Sequence, residues 1–237
     1  FIWFYFWIDL TNSIGFKFSL VSLSLLGLPL IPFLRFLPAP IQKSAGRSGR
    51  RSLTSLAGML CILSLLLHYI ANSPEWIYLE RIGIEAGLSL ENIASSISLS
   101  MIFGLIGTIL AMIVGRTHYR FLPLNAGIIG IMFGTSLLLM PIGAASFTVA
   151  TSMILMSLTF VVPFYQGSLA DLPNGSRMSM IGAGTINVGL AAGPLIGSQV
   201  VSVLNFRALL HFCNLLYLGA WVSICCAFYL LKNKKTD

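Results

Sequence analysis

Charged side chains are scarce in this sequence. Asp, Glu, Lys and Arg make up 9% of the 237 residues, whereas soluble domains carry about 25%. Mean hydropathy is +0.90, and 57% of the residues are hydrophobic. A chain so poor in charge cannot cover itself with water-facing side chains, so we expect lipid to be its main solvent.

Cysteine is also rare, and the spacing of the four cysteines is not that of metal ligands. All four lie in apolar runs: Cys61, Cys213, Cys225 and Cys226. We interpret them as packing residues, because buried apolar thiols are usually inert. The spans also lack a His-Glu pair with metal spacing, paired aspartates and a Ser-His dyad. We therefore predict neither an enzyme nor a cofactor.

Seven apolar runs are each long enough to cross a bilayer, which takes about 20 residues in a helix. They are 17–37, 53–79, 90–114, 121–141, 145–169, 178–203 and 207–231. Lipid requires every backbone group to be paired within its own segment, which favours helices. The sequence predicts an all-α, polytopic membrane protein with about seven transmembrane helices.

The basic residues fall in alternate loops, which predicts an orientation. Eleven of the 14 Lys and Arg residues lie in or beside residues 38–52, 115–120 and 170–177 or in the tail after 231. The segments between them hold only Lys17, Arg81 and Arg207. The positive-inside rule places the first set, and the C-terminus, in the cytoplasm. Because the net charge of +7 sits at span ends, we predict lipid rather than nucleic acid as a partner.

The basic stretch 38–52 divides the chain into two parts. It is polar and flexible in composition, as expected of a domain boundary. Six runs with short loops follow it, so we predict a six-helix unit over 53–237. The aromatic residues at 1–8 then fit the outer end of a truncated helix, or alternatively a short interfacial helix. On the first interpretation, the charge pattern makes sense if the sequence begins inside a larger protein.

Three local patterns resemble those of the major facilitator superfamily of transporters. The first runs from Gly104 and Gly107 to the basic turn Gly115–Arg120, and the second is the acidic-then-basic turn Asp171–Arg177. The third is a glycine-rich helix with glycines at 182, 184, 189, 193 and 197. The basic turn departs from the family pattern, since Gly115 and His118 stand where the family has Asp and Gly.

The resemblance covers nearly the whole chain. It implies that 1–37 is the end of helix five and helix six of an N-terminal half, and that 53–237 is a six-helix C-terminal half. It also implies secondary active transport of a small solute by alternating access, with no covalent chemistry. We expect proton coupling, a bacterial inner-membrane location and a full-length protein that is monomeric.

Candidate site residues concentrate in the first run of that unit, where Pro74 is expected to kink the helix. Asn72, Trp76 and Glu80 recur at four-residue spacing, and Tyr69 extends their face inward. We predict that this stripe lines a solute and proton pathway, with Glu80 either as the proton-coupling carboxylate or as a headgroup-level charge. Three other acidic residues are expected to be solvated charges at the outer face: Glu75, Glu85 and Glu91.

Four more polar residues are candidates for the pathway. His68 lies deep in its run and is either a proton relay or a hydrogen-bonded core histidine. Tyr165 and Gln166 follow Pro163 and are predicted to line the inner mouth of the cavity. Asn187 lies inside the glycine-rich run and is expected to bond either solute or, preferably, a neighbouring helix.

Charged residues at the cytoplasmic loops form the last candidate group. Salt bridges among them are predicted to form an inner gate, the alternative being that they only set topology. They are Asp171, Arg177, Arg116 and Arg120.

A seven-helix receptor or sensor without transport activity is the alternative function. Retinal proteins need a lysine in the last helix, and 207–231 contains none. The transporter hypothesis is therefore preferred.

Overall fold

Six α-helices follow one another in the computed structural model, which describes residues 56–115, 120–172 and 175–233. They are α1 (Leu56–Glu85), α2 (Leu90–Val114), α3 (Phe121–Leu137), α4 (Ala144–Ala170), α5 (Gly175–Val203) and α6 (Phe206–Asn233). These residues contain no strand, so the all-α prediction is confirmed for them. The predicted run 17–37 and the linker 38–52 lie outside the described residues.

Five helices are long and apolar enough to cross a membrane, namely α1, α2, α4, α5 and α6, with 25 to 30 residues each. These are the lengths and compositions of a multi-pass membrane protein. The predicted run 90–114 coincides with α2, and α1 continues beyond residue 79 to Glu85.

The predicted run 121–141 is longer than the helix it contains. Helix α3 has 17 residues, or about 25 Å at 1.5 Å per residue. Residues 138–143 form a turn instead. Pro141 lacks a backbone N–H and disfavours helix in the residue before it, which accounts for the early end.

Local capping explains two of the tight turns. Gly87 adopts a φ of +80° after α1, a conformation that glycine reaches without steric cost. Ser89 then caps α2 by accepting a hydrogen bond from the Asn92 N–H at 3.3 Å. Before α6, the Asn205 side chain accepts from the Ala208 N–H at 2.7 Å. Both are the residue types that satisfy the unpaired donors of a first helical turn.

Helix α1 is central to one group of helices and α4 to the other. Helix α1 packs mainly against α5 and α6, whereas α4 packs mainly against α2 and α3. Contacts of α3 with α6 and of α4 with α5 join the groups. The turns before α3 and after α4 meet at one end of this bundle, where Arg120 pairs with Asp171.

The outer surface of the bundle is apolar. Many large hydrophobic side chains of α2 are exposed, including Met101, Ile102, Leu105, Met112 and Ile113. By contrast, the buried face of α2 is built of mostly small residues: Ile93, Ser96, Ser100, Gly104, Gly107 and Ala111. Lipid tails are as apolar as these exposed side chains, so helices in a membrane associate through close packing of small residues.

Helix α5 lies against α1 through a row of glycines. Its buried residues are Met178, Gly182, Gly189, Gly193 and Gly197. A Cβ atom placed on Gly193 would lie 2.8 Å from Pro74 Cδ and 2.9 Å from the Ile70 carbonyl oxygen. The predicted role of these glycines in close helix packing is confirmed.

We expect Gly193→Ala to lower the free energy of unfolding by about 1–3 kcal/mol, the usual cost of overpacking a well-packed contact. The added methyl group would meet backbone and a proline ring, neither of which moves easily. Thermal unfolding in detergent micelles measures the change. Gly184→Ala is the matched control, because nothing lies within 4 Å of a Cβ at that position. Equal melting temperatures for the two variants would contradict the packing account.

Candidate functional site

Polar side chains occupy the buried face of α1. Ser64, His68, Asn72 and Glu75 have exposed fractions of 0%, 0%, 5% and 1%. His68 and Glu75 are seven residues apart, so they differ by only about 20° around the helix. Pro74 lies within the same stretch of α1. Polar groups are costly at this depth, and ionisable groups inside spans are functional candidates for that reason.

The Glu75 carboxyl group joins three helices. The Tyr217 hydroxyl of α6 donates to Glu75 Oε2 at 2.8 Å, and the Thr135 hydroxyl of α3 lies 2.6 Å from Oε1. The same Thr135 oxygen is 3.0 Å from the Ile131 carbonyl oxygen one turn earlier in α3. Within the described residues, the salt bridge of Arg120 with Asp171 is the only one, so no cation pairs with Glu75.

Helix packing brings these partners together. Tyr217 lies near the middle of α6 and is fully buried, as is Thr135 near the end of α3. One turn before Tyr217, the Cys213 thiol donates to the Ala71 carbonyl oxygen of α1 at 3.3 Å. The α1–α6 contact therefore fixes the position of Tyr217 relative to Glu75.

His68 lies among three tyrosine rings. Its ring centroid is 5.6 Å from that of Tyr69, 5.6 Å from that of Tyr165 and 5.3 Å from that of Tyr217, each in an edge-on arrangement. Neither ring nitrogen has a hydrogen-bond partner among the described residues. The predicted depth of His68 is confirmed, but the predicted hydrogen-bonded core histidine is wrong, because aromatic rings surround the imidazole.

A second hydrogen-bonded group lies on the other side of His68. Ser64 donates to the Ala220 carbonyl oxygen of α6 at 2.7 Å. Its oxygen is also 2.7 Å from the Tyr165 hydroxyl of α4. Since Ser64 has one proton, Tyr165 donates to Ser64. Tyr165 and Tyr217 thus connect the surroundings of His68 to Ser64 and to Glu75.

The predicted stripe on α1 runs from the interior to the surface. Tyr69 and Asn72 are buried, with exposed fractions of 8% and 5%. Trp76 is half-buried and Glu80 is exposed. Steps of four residues advance by slightly more than one turn, which carries Glu80 about 120° away from His68. Glu80 therefore does not join the buried polar group.

The prediction that Glu75 is a solvated charge is wrong. Its side chain is buried, whereas Glu85 and Glu91 are exposed as predicted. The sequence did carry a signal for this residue. His68, Asn72 and Glu75 have the i, i+4, i+7 spacing of one helix face, which outweighs the proximity of Glu75 to the end of the apolar run.

Two pathway predictions outside α1 need correction. Tyr165 is fully buried beside His68, so it lines no cavity mouth, although its neighbour Gln166 is half-buried near α5. Asn187 is exposed, and its amide donates to the Ala183 carbonyl oxygen of its own helix at 3.1 Å. It bonds no neighbouring helix because the glycine row, rather than the Asn187 face, turns toward α1.

One of the predicted inner-gate pairs forms. Arg120 Nε is 2.9 Å from Asp171 Oδ2, and Nη2 donates to Oδ1 at 3.2 Å. This exposed pair links the start of α3 to the end of α4. Arg177 is exposed, and Arg116 lies outside the described residues.

The buried group contains residues that the sequence did not single out: Ser64, Glu75, Thr135 and Tyr217. Hydroxyl residues are common in membrane helices, so Thr135 and Tyr217 had no distinguishing pattern. Together, the group offers one carboxyl, one imidazole and several hydroxyl groups inside an apolar bundle. Such a set can bind and release protons or bond a polar solute, but it has no metal-binding cluster among the described residues.

Comparison with known proteins leaves the family unassigned: no protein-family model matches the chain, and a search of curated proteins gives no significant match.

Proposed function

We propose that the chain is part of a secondary active transporter resembling the major facilitator superfamily, with residues 53–237 as its six-helix C-terminal half. In this proposal a small solute crosses the bacterial inner membrane by alternating access, coupled to protons. The C-terminus is cytoplasmic, and the spans before residue 56 belong to the other half.

The observation that carries the proposal is the buried polar group around His68 and Glu75. A membrane bundle that served only as a scaffold would gain stability from apolar residues at these positions, because unpaired or uncompensated polar groups are costly there. His68 has two ring nitrogens without partners. A transporter has a use for such groups, since protons and polar solutes must be bound away from water.

The contact between α1 and α5 supports the movement that transport requires. The glycine row of α5 presents a surface without side chains to Ile70, Ser73 and Pro74 of α1. Pro74 removes one helical hydrogen bond in α1, and Pro194 does so in α5. Two interrupted helices in close contact over small residues are suited to bend against each other.

We expect the chain, reconstituted in liposomes, to drive solute accumulation with a pH gradient. A gradient of one pH unit supplies about 1.4 kcal/mol per proton, enough for about tenfold accumulation at one proton per solute. An isotopically labelled bacterial cell extract serves as the solute mixture, and mass spectrometry of the vesicle contents identifies what accumulates or is depleted. This design needs no prior choice between sugars, organic anions and drugs.

Two controls define the result. Empty liposomes report leakage, and a protonophore that collapses the gradient must abolish the accumulation. If no labelled solute responds to the gradient in either direction, the transporter proposal is wrong and the receptor or sensor hypothesis takes its place.

A further inference from the structure

We propose that Glu75, rather than Glu80, is a reversible proton-binding site of this protein, held by Thr135 and Tyr217 at the junction of α1, α3 and α6. As a statement about proton binding the inference stands by itself, and as a statement about coupling it rests on the proposed transport function.

The first step of the argument is burial without a counter-charge. Only 1% of the Glu75 side chain is exposed, and both carboxyl oxygens bond neutral hydroxyl groups. An ionised carboxylate in a dry interior needs a cation or several hydrogen bonds to offset its lost hydration. Hydroxyl groups alone offset this loss incompletely, which favours a bound proton.

The titratable groups around Glu75 offer no competing charge. From α6, Tyr217 bonds the carboxyl group, and Cys213 lies close to it. From α1 itself, His68 lies seven residues away against the Tyr217 ring. The contact from α3 is the hydroxyl of Thr135, and α5 presents glycines to this part of α1. These neutral groups leave Glu75 as the group whose proton occupancy changes the local charge.

The second step is that the hydrogen bonds accommodate both forms of the carboxyl group. When Glu75 is ionised, Thr135 donates to Oε1. When Glu75 is protonated, its own O–H donates to Thr135, and the Thr135 proton turns to the Ile131 carbonyl oxygen 3.0 Å away. A separation of 2.6 Å between Glu75 Oε1 and Thr135 Oγ1 suits either direction. Tyr217 donates to Oε2 in both forms.

The balance of this step is simple. One proton arrives on Glu75 Oε1 and one hydroxyl rotates at Thr135, with no covalent bond between heavy atoms made or broken. Because the same heavy-atom positions serve both states, the site can load and unload without losing a hydrogen bond. This distinguishes Glu75 from a carboxyl group that is merely buried.

Infrared spectroscopy tests proton binding directly. The full chain is labelled isotopically at its glutamate carboxyl groups and reconstituted in lipid at neutral pH. Of the four glutamates, Glu75 alone is buried, so we expect one C=O band of a protonated acid, absent from Glu75→Gln and retained in Glu85→Gln. Absence of any such band from the wild-type chain would overturn the proposal, even if Glu75→Gln failed to fold. A band that persists in folded Glu75→Gln would overturn it equally.

Transport tests the coupling role. With one pH unit across the membrane, we expect Glu75→Gln to lower accumulation from about tenfold to none while exchange without a gradient continues. Glu85→Gln should keep the tenfold accumulation. Loss of coupling in Glu80→Gln with normal coupling in Glu75→Gln would restore the assignment to Glu80.

The two experiments separate the inference from the proposed function. A Glu75 acid band in a chain that moves no solute leaves the proton site standing and removes transport. Proton-driven transport by a chain without that band does the reverse.

Discussion

Lipid offers a polar group no hydrogen-bonding partner, and the arrangement of this bundle follows from that constraint. Backbone groups are paired within helices, and side-chain hydroxyls return to their own helix or bond a neighbour. Thr159, for example, donates to the Gly104 carbonyl oxygen at 2.7 Å. The face of α1 that carries Glu75 and His68 must therefore turn inward, and α3, α4 and α6 supply the hydroxyl groups that meet it. The packing of the helices around α1 and the position of the polar group are one solution to the same requirement.

The helices and their order were predictable from the sequence because apolar run length measures a span directly. The run 90–114 matched α2 without adjustment, since polar and charged residues bound it on both sides. The end of α3 was missed because Leu138–Met140 are as apolar as the helix before them. What ended that helix was the backbone chemistry of Pro141, which a hydropathy pattern does not register.

The candidate site was only partly predictable. His68, Tyr69 and Asn72 were identified from their depth in the run, but Glu75 was assigned to the surface and Glu80 preferred. Four-residue spacing seemed to define a face, yet over three turns it rotates away from the core. Thr135 and Tyr217 depend on contacts between helices remote in sequence: α1 with α3 and α1 with α6. No pattern within one helix encodes those contacts.

The position of Glu75 next to Pro74 ties proton occupancy to helix packing. Its carboxyl group bonds α3 and α6, while Pro74 contacts the glycines of α5. A shift of α1 along that glycine surface would change the distances from Glu75 to Thr135 and Tyr217, and hence the affinity for the proton. Linkage makes the effect reciprocal: gain or loss of the proton must then bias the packing of α1 by the same free energy. One carboxyl group held by hydroxyls from two other helices is thus sufficient to couple a proton to a rearrangement of the bundle.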